Sequence, residues 1–140
     1  MGNSMSITKF INFEDVQSAI TDKEKTIIIN TLDAHQQGCL IVGTLAIDQE
    51  VEVLNALLKK NTEARIIIYG MNSTDTTCQK KYDQLIKLGF YNIYIYASGL
   101  FEWLLLQDIY GSELFPTTAT KVDLLKYKGR RQLNVRLLEN

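Results

Sequence analysis

The sequence predicts a single α/β domain built on a parallel sheet with helices on both faces. Three observations carry this. Four short runs rich in β-branched or aromatic residues, Thr26–Asn30 (TIIIN), Cys39–Gly43 (CLIVG), Arg65–Tyr69 (RIIIY) and Asn92–Tyr96 (NIYIY), are bounded by polar residues and glycine, the pattern of strands buried on both sides. Helical patterns lie between these runs, and parallel neighbours need such crossovers. The 140 residues, 46% of them hydrophobic, are enough for one core and too few for two domains.

Along the chain, residues 1–6 read as a flexible polar leader, and a weaker strand is expected over Ser6–Ile11. A helix follows at Phe13–Ile20. After the strand Thr26–Asn30 comes a loop containing His35, then the strand Cys39–Gly43. The helix Asp48–Lys60 puts Val51, Leu54, Leu57 and Leu58 on one apolar face. Arg65–Tyr69 is the central strand, and the next helix runs from about Asp75 to Leu88, ending at Gly89, a residue suited to the left-handed position after a helix. Within it Cys78, Tyr82, Leu85 and Ile86 share one face. Tyr91, Tyr94 and Tyr96 are read as sharing a face of the last strand, and a fourth helix begins near Leu100 and carries Trp103, Leu104 and Leu105.

The net charge of −1 excludes a generally basic, nucleic-acid-binding protein, yet it hides an asymmetry. Residues 121–140 hold six Lys and Arg against Asp123 and Glu139, a net +4, so the other 120 residues carry −5. No basic patch is interleaved with the tyrosines, as an RNA platform would require. Two cysteines, Cys39 and Cys78, with the single His35, are too few for a disulfide framework or a structural metal site, and no cofactor is expected. The apolar runs are far shorter than the ~20 residues that span a bilayer, and residues 1–6 lack the regions of a signal peptide, so a cytoplasmic protein is expected. The start Met1-Gly2-Asn3-Ser4-Met5-Ser6 fits N-myristoylation of Gly2. One acyl chain holds a membrane only marginally, and the basic tail would supply the second signal for peripheral contact.

In doubly wound sheets ligands bind at the carboxyl ends of the strands. The segment so placed is Gly70-Met71-Asn72-Ser73-Thr74-Asp75, leading from the central strand to a helix N-terminus, where N–H groups suit an anion. The competing reading is that Ser73, Thr74 or Asp75 caps the helix. Cys78 falls on the apolar helix face and Cys39 opens a strand, so both thiols read as packing residues rather than nucleophiles. For His35, a loop hydrogen bond is expected, since no matched acid and nucleophile can be placed beside it.

Several of these segments resemble one family. His35-Gln36-Gln37-Gly38-Cys39-Leu40 resembles the His-x-x-Gly-Ala-Ile approach to the second core strand of rhodanese-like domains. Ser98-Gly99-Leu100-Phe101-Glu102-Trp103 resembles the Gly-Gly-x-x-x-Trp segment after their last strand, with Ser98 in place of the first Gly. The stretch Leu85–Gly111 looks like a rhodanese-like subgroup of large DNA viruses and algae. The resemblance covers residues 7–118 and implies a central sheet of about five strands, with residues 119–140 as an extension packing on the domain or on a neighbour.

Rhodanese-like enzymes carry sulfane sulfur as a persulfide on a Cys directly after the central strand, in a loop closed by a basic residue. The resemblance puts Gly70 at the Cys position and Asp75 at the closing one, so both groups are missing. It implies a catalytically inactive module acting in protein–protein interaction, in self-association as a homodimer or in a virus particle. Two alternatives stand beside it: a divergent sulfurtransferase using a displaced cysteine, Cys78 or Cys39, and a binder of small anions or metabolites at Gly70–Asp75 without turnover.

Overall fold

Ile66, Ile67, Ile68 and Tyr69 follow one another without a polar break, and a strand of that composition is stable only with both faces covered. In the computed structural model, which describes residues 7–22 and 26–133, they belong to the middle strand of a three-stranded parallel sheet. Its order is Thr26–Asn30 (β1), Arg65–Tyr69 (β2) and Ile93–Tyr96 (β3). Ile28 sits opposite Ile67, and Ile67 opposite Tyr94. Side chains alternate across the sheet. Ile28, Ile67, Tyr69 and Tyr96 face the helices Phe13–Thr21 (α1) and Gly99–Tyr110 (α4), whereas Ile29, Ile66, Ile68, Ile93 and Ile95 face Ile47–Lys60 (α2) and Thr77–Leu88 (α3).

Local signals set the helix ends. Asn12 caps α1 by accepting from the Glu14 and Asp15 N–H groups, and Asp15 returns a bond to the Asn12 N–H. Gly89 ends α3 in the left-handed conformation, its N–H reaching Ile86 while the Phe90 N–H reaches Leu85.

The sheet departs from the expected five strands. Of the expected strand Ser6–Ile11, Ser6 lies outside the described residues, and residues 7–11 contribute a single bridge at Phe10, beside Ile95, held by Ile11 N–H to Ile95 O and Ile95 N–H to Lys9 O, both 2.9 Å. Cys39–Gly43 forms no strand. Only Thr44 bridges β1, at Ile28. The reason is that the preceding backbone is committed elsewhere. Val42 N–H bonds Pro116 O at 3.1 Å, Thr118 N–H bonds Leu40 O at 2.8 Å, and the Ile41 N–H bonds the Tyr69 hydroxyl at 3.1 Å. Gly43, at φ +94°, then turns the chain.

Two smaller expectations also change. Val51 is 70% exposed; α2 meets the core through Leu54 and, in part, Leu57 and Leu58. Tyr91 precedes β3 and does not share a face with Tyr94 and Tyr96; its hydroxyl donates to Glu63 Oε1 at 2.9 Å. Beyond α4, a 3-10 turn at Leu124–Tyr127 packs back on that helix and buries Tyr127 in the α1/α4 core. Among the described residues no helix is long and apolar enough to cross a membrane.

Candidate functional site

The loop at the carboxyl end of β2 is built inwards around Gly70, which is buried. A β-carbon there would lie 2.5 Å from Asp75 Oδ2, 2.8 Å from Thr31 Oγ1 and 3.0 Å from Cys78 Sγ. Three polar groups thus fill the space into which a side chain at position 70 would project. Asp75 is held there by its own bonds. Its Oδ2 accepts the Met71 N–H at 3.0 Å, and its Oδ1 accepts the Thr77 N–H at 2.9 Å and the Thr77 hydroxyl at 2.5 Å. The Thr77 and Thr31 hydroxyl oxygens lie 2.7 Å apart, and Thr31 Oγ1 is 3.6 Å from Cys78 Sγ.

The start of α4 closes the loop from the other side. Leu100 N–H donates to Gly70 O and Phe101 N–H to Met71 O, both at 2.9 Å. This approach requires a glycine at position 99: its φ is +67°, and a β-carbon would come within 2.7 Å of Gly70 O. The first donors of α4 are therefore spent on loop carbonyls. Asn72, also buried, organises the outer turn. Its Oδ1 accepts the Thr74 N–H at 3.0 Å and the Thr74 hydroxyl at 2.7 Å, and its Nδ2 donates to Tyr127 O at 2.9 Å and Lys128 O at 3.0 Å. Arg130 N–H reaches Thr74 Oγ1 at 3.3 Å. Ser73 stays exposed.

Burial pushes the Cys78 thiol up from 9.0 to about 11; the Asp75 carboxylate pushes the same way and the Thr31 hydroxyl opposes. A thiol of this kind is protonated at neutral pH and a poor nucleophile. Cys78 does line a cavity of about 420 Å³ together with Phe10, Thr74, Asp75 and Lys80. Cys39 lies in the other core, on the α1/α4 side, with its Sγ–H donated to Ala119 O at 3.4 Å. Burial raises its pKa too, against the Thr117 and Lys121 side chains.

The remaining sequence candidates are not gathered at the loop. His35 is exposed on a 3-10 turn, Ala34–Gln36, and its ring makes no hydrogen bond to another described residue. That segment is fastened instead by paired amides, Gln37 Nε2 to Asn30 Oδ1 at 2.7 Å and Asn30 Nδ2 to Gln37 Oε1 at 3.1 Å. Nothing lies within 4 Å of the point where a β-carbon on Gly38 would stand, so no contact requires a glycine there. Trp103 is fully buried, edge-on to Tyr96 and Phe115, with its indole N–H on Pro116 O at 3.1 Å. Gly2 lies outside the described residues. For α3, the N-cap is Thr76, whose side chain makes no capping bond; Asp75, one residue earlier, serves the Thr77 N–H. No three His, Cys, Asp or Glu side chains come together as a metal site among the described residues.

Sequence reasoning missed Thr31 and Thr77, which hold Asp75 and Cys78, and Tyr127, which brings the tail to Asn72. Thr31 had one signal, its place directly after β1, at the sheet edge where crevice residues gather.

This architecture has solved counterparts. Yeast Ygr203w, a protein tyrosine phosphatase of the rhodanese family, matches with a TM-score of 0.59 at 15% identity, over 86% of this chain and 99% of that one. The rhodanese-like domain of the Anabaena sp. Alr3790 protein matches with a TM-score of 0.56 at 18% identity, over 92% of each chain. The BH2092 protein of Bacillus halodurans matches at 0.58 and 19% identity, over 74% of each. The chain has the rhodanese-like α/β fold. No protein-family model and no curated protein sequence matches it.

Proposed function

We propose that this chain is a catalytically inactive rhodanese-like module that works by binding protein. The observation that carries the reading is the filling of the space above Gly70 by Asp75, Thr31 and Cys78. A persulfide or phosphocysteine needs a thiol projecting into an open cradle of N–H donors, with positive charge around the developing anion. Here the Met71 N–H already serves a carboxylate, and that carboxylate repels a thiosulfate or phosphate dianion. Incubation of the purified chain with thiosulfate and cyanide is expected to give thiocyanate at the no-protein level. Formation well above that level, lost on Cys78→Ser, would overturn the proposal.

One observation favours a second reading, sulfur transfer by a displaced cysteine. Cys78 Sγ lies 3.0 Å from a β-carbon position on Gly70 and also lines the adjoining cavity. Against it stands the thiol pKa of about 11, raised by burial and by Asp75. The Cys78→Ser comparison separates the two readings.

A further inference from the structure

The outer turn of the loop already carries a segment of the chain's own tail. Tyr127–Arg130 crosses this turn as the chain leaves the 3-10 turn at Tyr127, and the contacts go to its backbone. Asn72 Nδ2 donates to two successive carbonyls, Tyr127 O at 2.9 Å and Lys128 O at 3.0 Å, and Thr74 Oγ1 accepts the Arg130 N–H at 3.3 Å. At each end of this ladder the side-chain requirements differ. Tyr127 is buried among α1 and α4 side chains as an aromatic anchor. At Gly129 a β-carbon would come within 3.2 Å of Thr74 Oγ1 and 3.3 Å of its methyl, so a larger residue there makes the Thr74 side chain give by a few tenths of an ångström. Between them Lys128 and, beyond, Arg130 project into solvent.

We propose that Asn72 and Thr74 form a peptide-binding site for an aromatic-x-Gly-x segment leaving a 3-10 turn, and that residues 127–130 are its internal, exchangeable ligand. This rests on reading the loop as a binding surface without turnover, and it names the occupant. Backbone carbonyls and N–H groups supply the affinity, while the anchor and the glycine supply the selectivity. A tethered segment competes at an effective concentration of order mM, so the site is self-occupied until the strap lets go. The basic residues Lys121, Lys126, Lys128, Arg130 and Arg131, set against Asp123 alone in residues 121–133, then have a place on a strap across an otherwise acidic chain.

Two variants of the full chain act on opposite partners of this contact. Gly129→Val crowds Thr74 from the strap side and leaves the site intact. Asn72→Asp keeps the acceptor for Thr74 but sets a carboxylate against the Tyr127 and Lys128 carbonyls, which damages the site itself. Trypsin is expected to cut after Lys128 about tenfold faster in both variants than in the parent, because the bond is released from the ladder. A fluorescent peptide of residues 122–132 is expected to bind Gly129→Val at least about tenfold more tightly than it binds the parent, and not to bind Asn72→Asp. Equal cleavage after Lys128 in parent and variants, or a folded Gly129→Val chain that binds the peptide no better than the parent, would overturn the proposal. Cooperative thermal unfolding of each variant confirms that the core persists. Thiocyanate formation by the parent would defeat the inactive-module reading alone, since peptide binding is read without any sulfur donor.

Discussion

Asp75 Oδ2 and the open side of Gly70 are fitted to one another, with 2.5 Å between the oxygen and the point where a β-carbon would stand. Each needs the other as it is: the carboxylate fills the gap only because residue 70 is a glycine, and a larger residue would push out a group that bonds Met71 and Thr77. Gly70→Ala is expected to cost about 1–3 kcal/mol, the usual range for overpacking a filled interior. Removing the obstructing carboxylate in the same chain, Gly70→Ala with Asp75→Ala, is expected to destabilise by less than the sum of the single changes. Urea unfolding of the four proteins measures both. Gly70→Cys is expected to behave like Gly70→Ala and to gain no thiocyanate formation.

Gly38 and Gly99 both belong to segments that resemble rhodanese-like motifs, yet the structure asks different things of them. Gly99 has a positive φ and faces Gly70 O, Met71 and Asn72 at contact distance, whereas nothing lies within 4 Å of a β-carbon on Gly38. Gly99→Ala is expected to cost about 1–3 kcal/mol through backbone strain, and to weaken the Leu100 and Phe101 bonds to the loop. Gly38→Ala is expected to stay within about 0.5 kcal/mol of the parent, as surface changes do. Denaturant midpoints, with hydrogen exchange at the Leu100 and Phe101 amides, distinguish the two.

Cys78 gives the fold a dependence on alkaline pH. In the folded chain its pKa is raised from 9.0 to about 11, mainly by burial. Below about pH 9 both states keep the proton and the thiol adds no pH dependence. Between about 9 and 11 the unfolded chain ionises and the folded chain does not, so stability falls as pH rises, by up to about 1.4 kcal/mol per unit of separation. Cys78→Val is expected to lack this component, seen as a shallower loss of thermal stability across that window. Alkylation of folded Cys78 by iodoacetamide is expected to be slow at neutral pH and to accelerate towards pH 11.

Legibility in the sequence follows the range of the forces involved. β1 and β2 are readable from their own residues, because uninterrupted Ile runs have no other stable use, and α3 is readable from the spacing of Cys78, Tyr82 and Leu85 down to its closing Gly89. Cys39–Gly43 carries the same apolar signal and is buried at Cys39, Leu40 and Ile41, but burial does not make a strand. What its backbone pairs with is decided by Pro116, Thr118 and Tyr69, distant in sequence. The candidate loop divides in the same way. Its place after β2 is legible, and so is the fact that residues 70–75 contain no Cys, Lys or Arg. The bonding of Thr31 to Thr77 beneath the loop, and the strap on Asn72, are long-range contacts that no local pattern encodes.

The Tyr69 hydroxyl tests that distinction directly. It is buried at the end of β2, accepts the Ile41 N–H at 3.1 Å and lies 2.7 Å from Thr44 Oγ1. Burial raises its pKa, opposed by those two bonds, so it stays protonated throughout the physiological range. This side chain of the sheet therefore helps Pro116 and Thr118 to fix the segment at residues 40–44. Tyr69→Phe keeps the ring and its packing but strands the Ile41 N–H in the core, a loss of about 1–3 kcal/mol. If the hydroxyl is what fixes residues 41–44, the Ile41 and Leu45 amides are expected to exchange faster in the variant while Ile67 in β2 remains protected. Uniform loss of protection across the sheet would instead mean that Tyr69 acts only through its bulk.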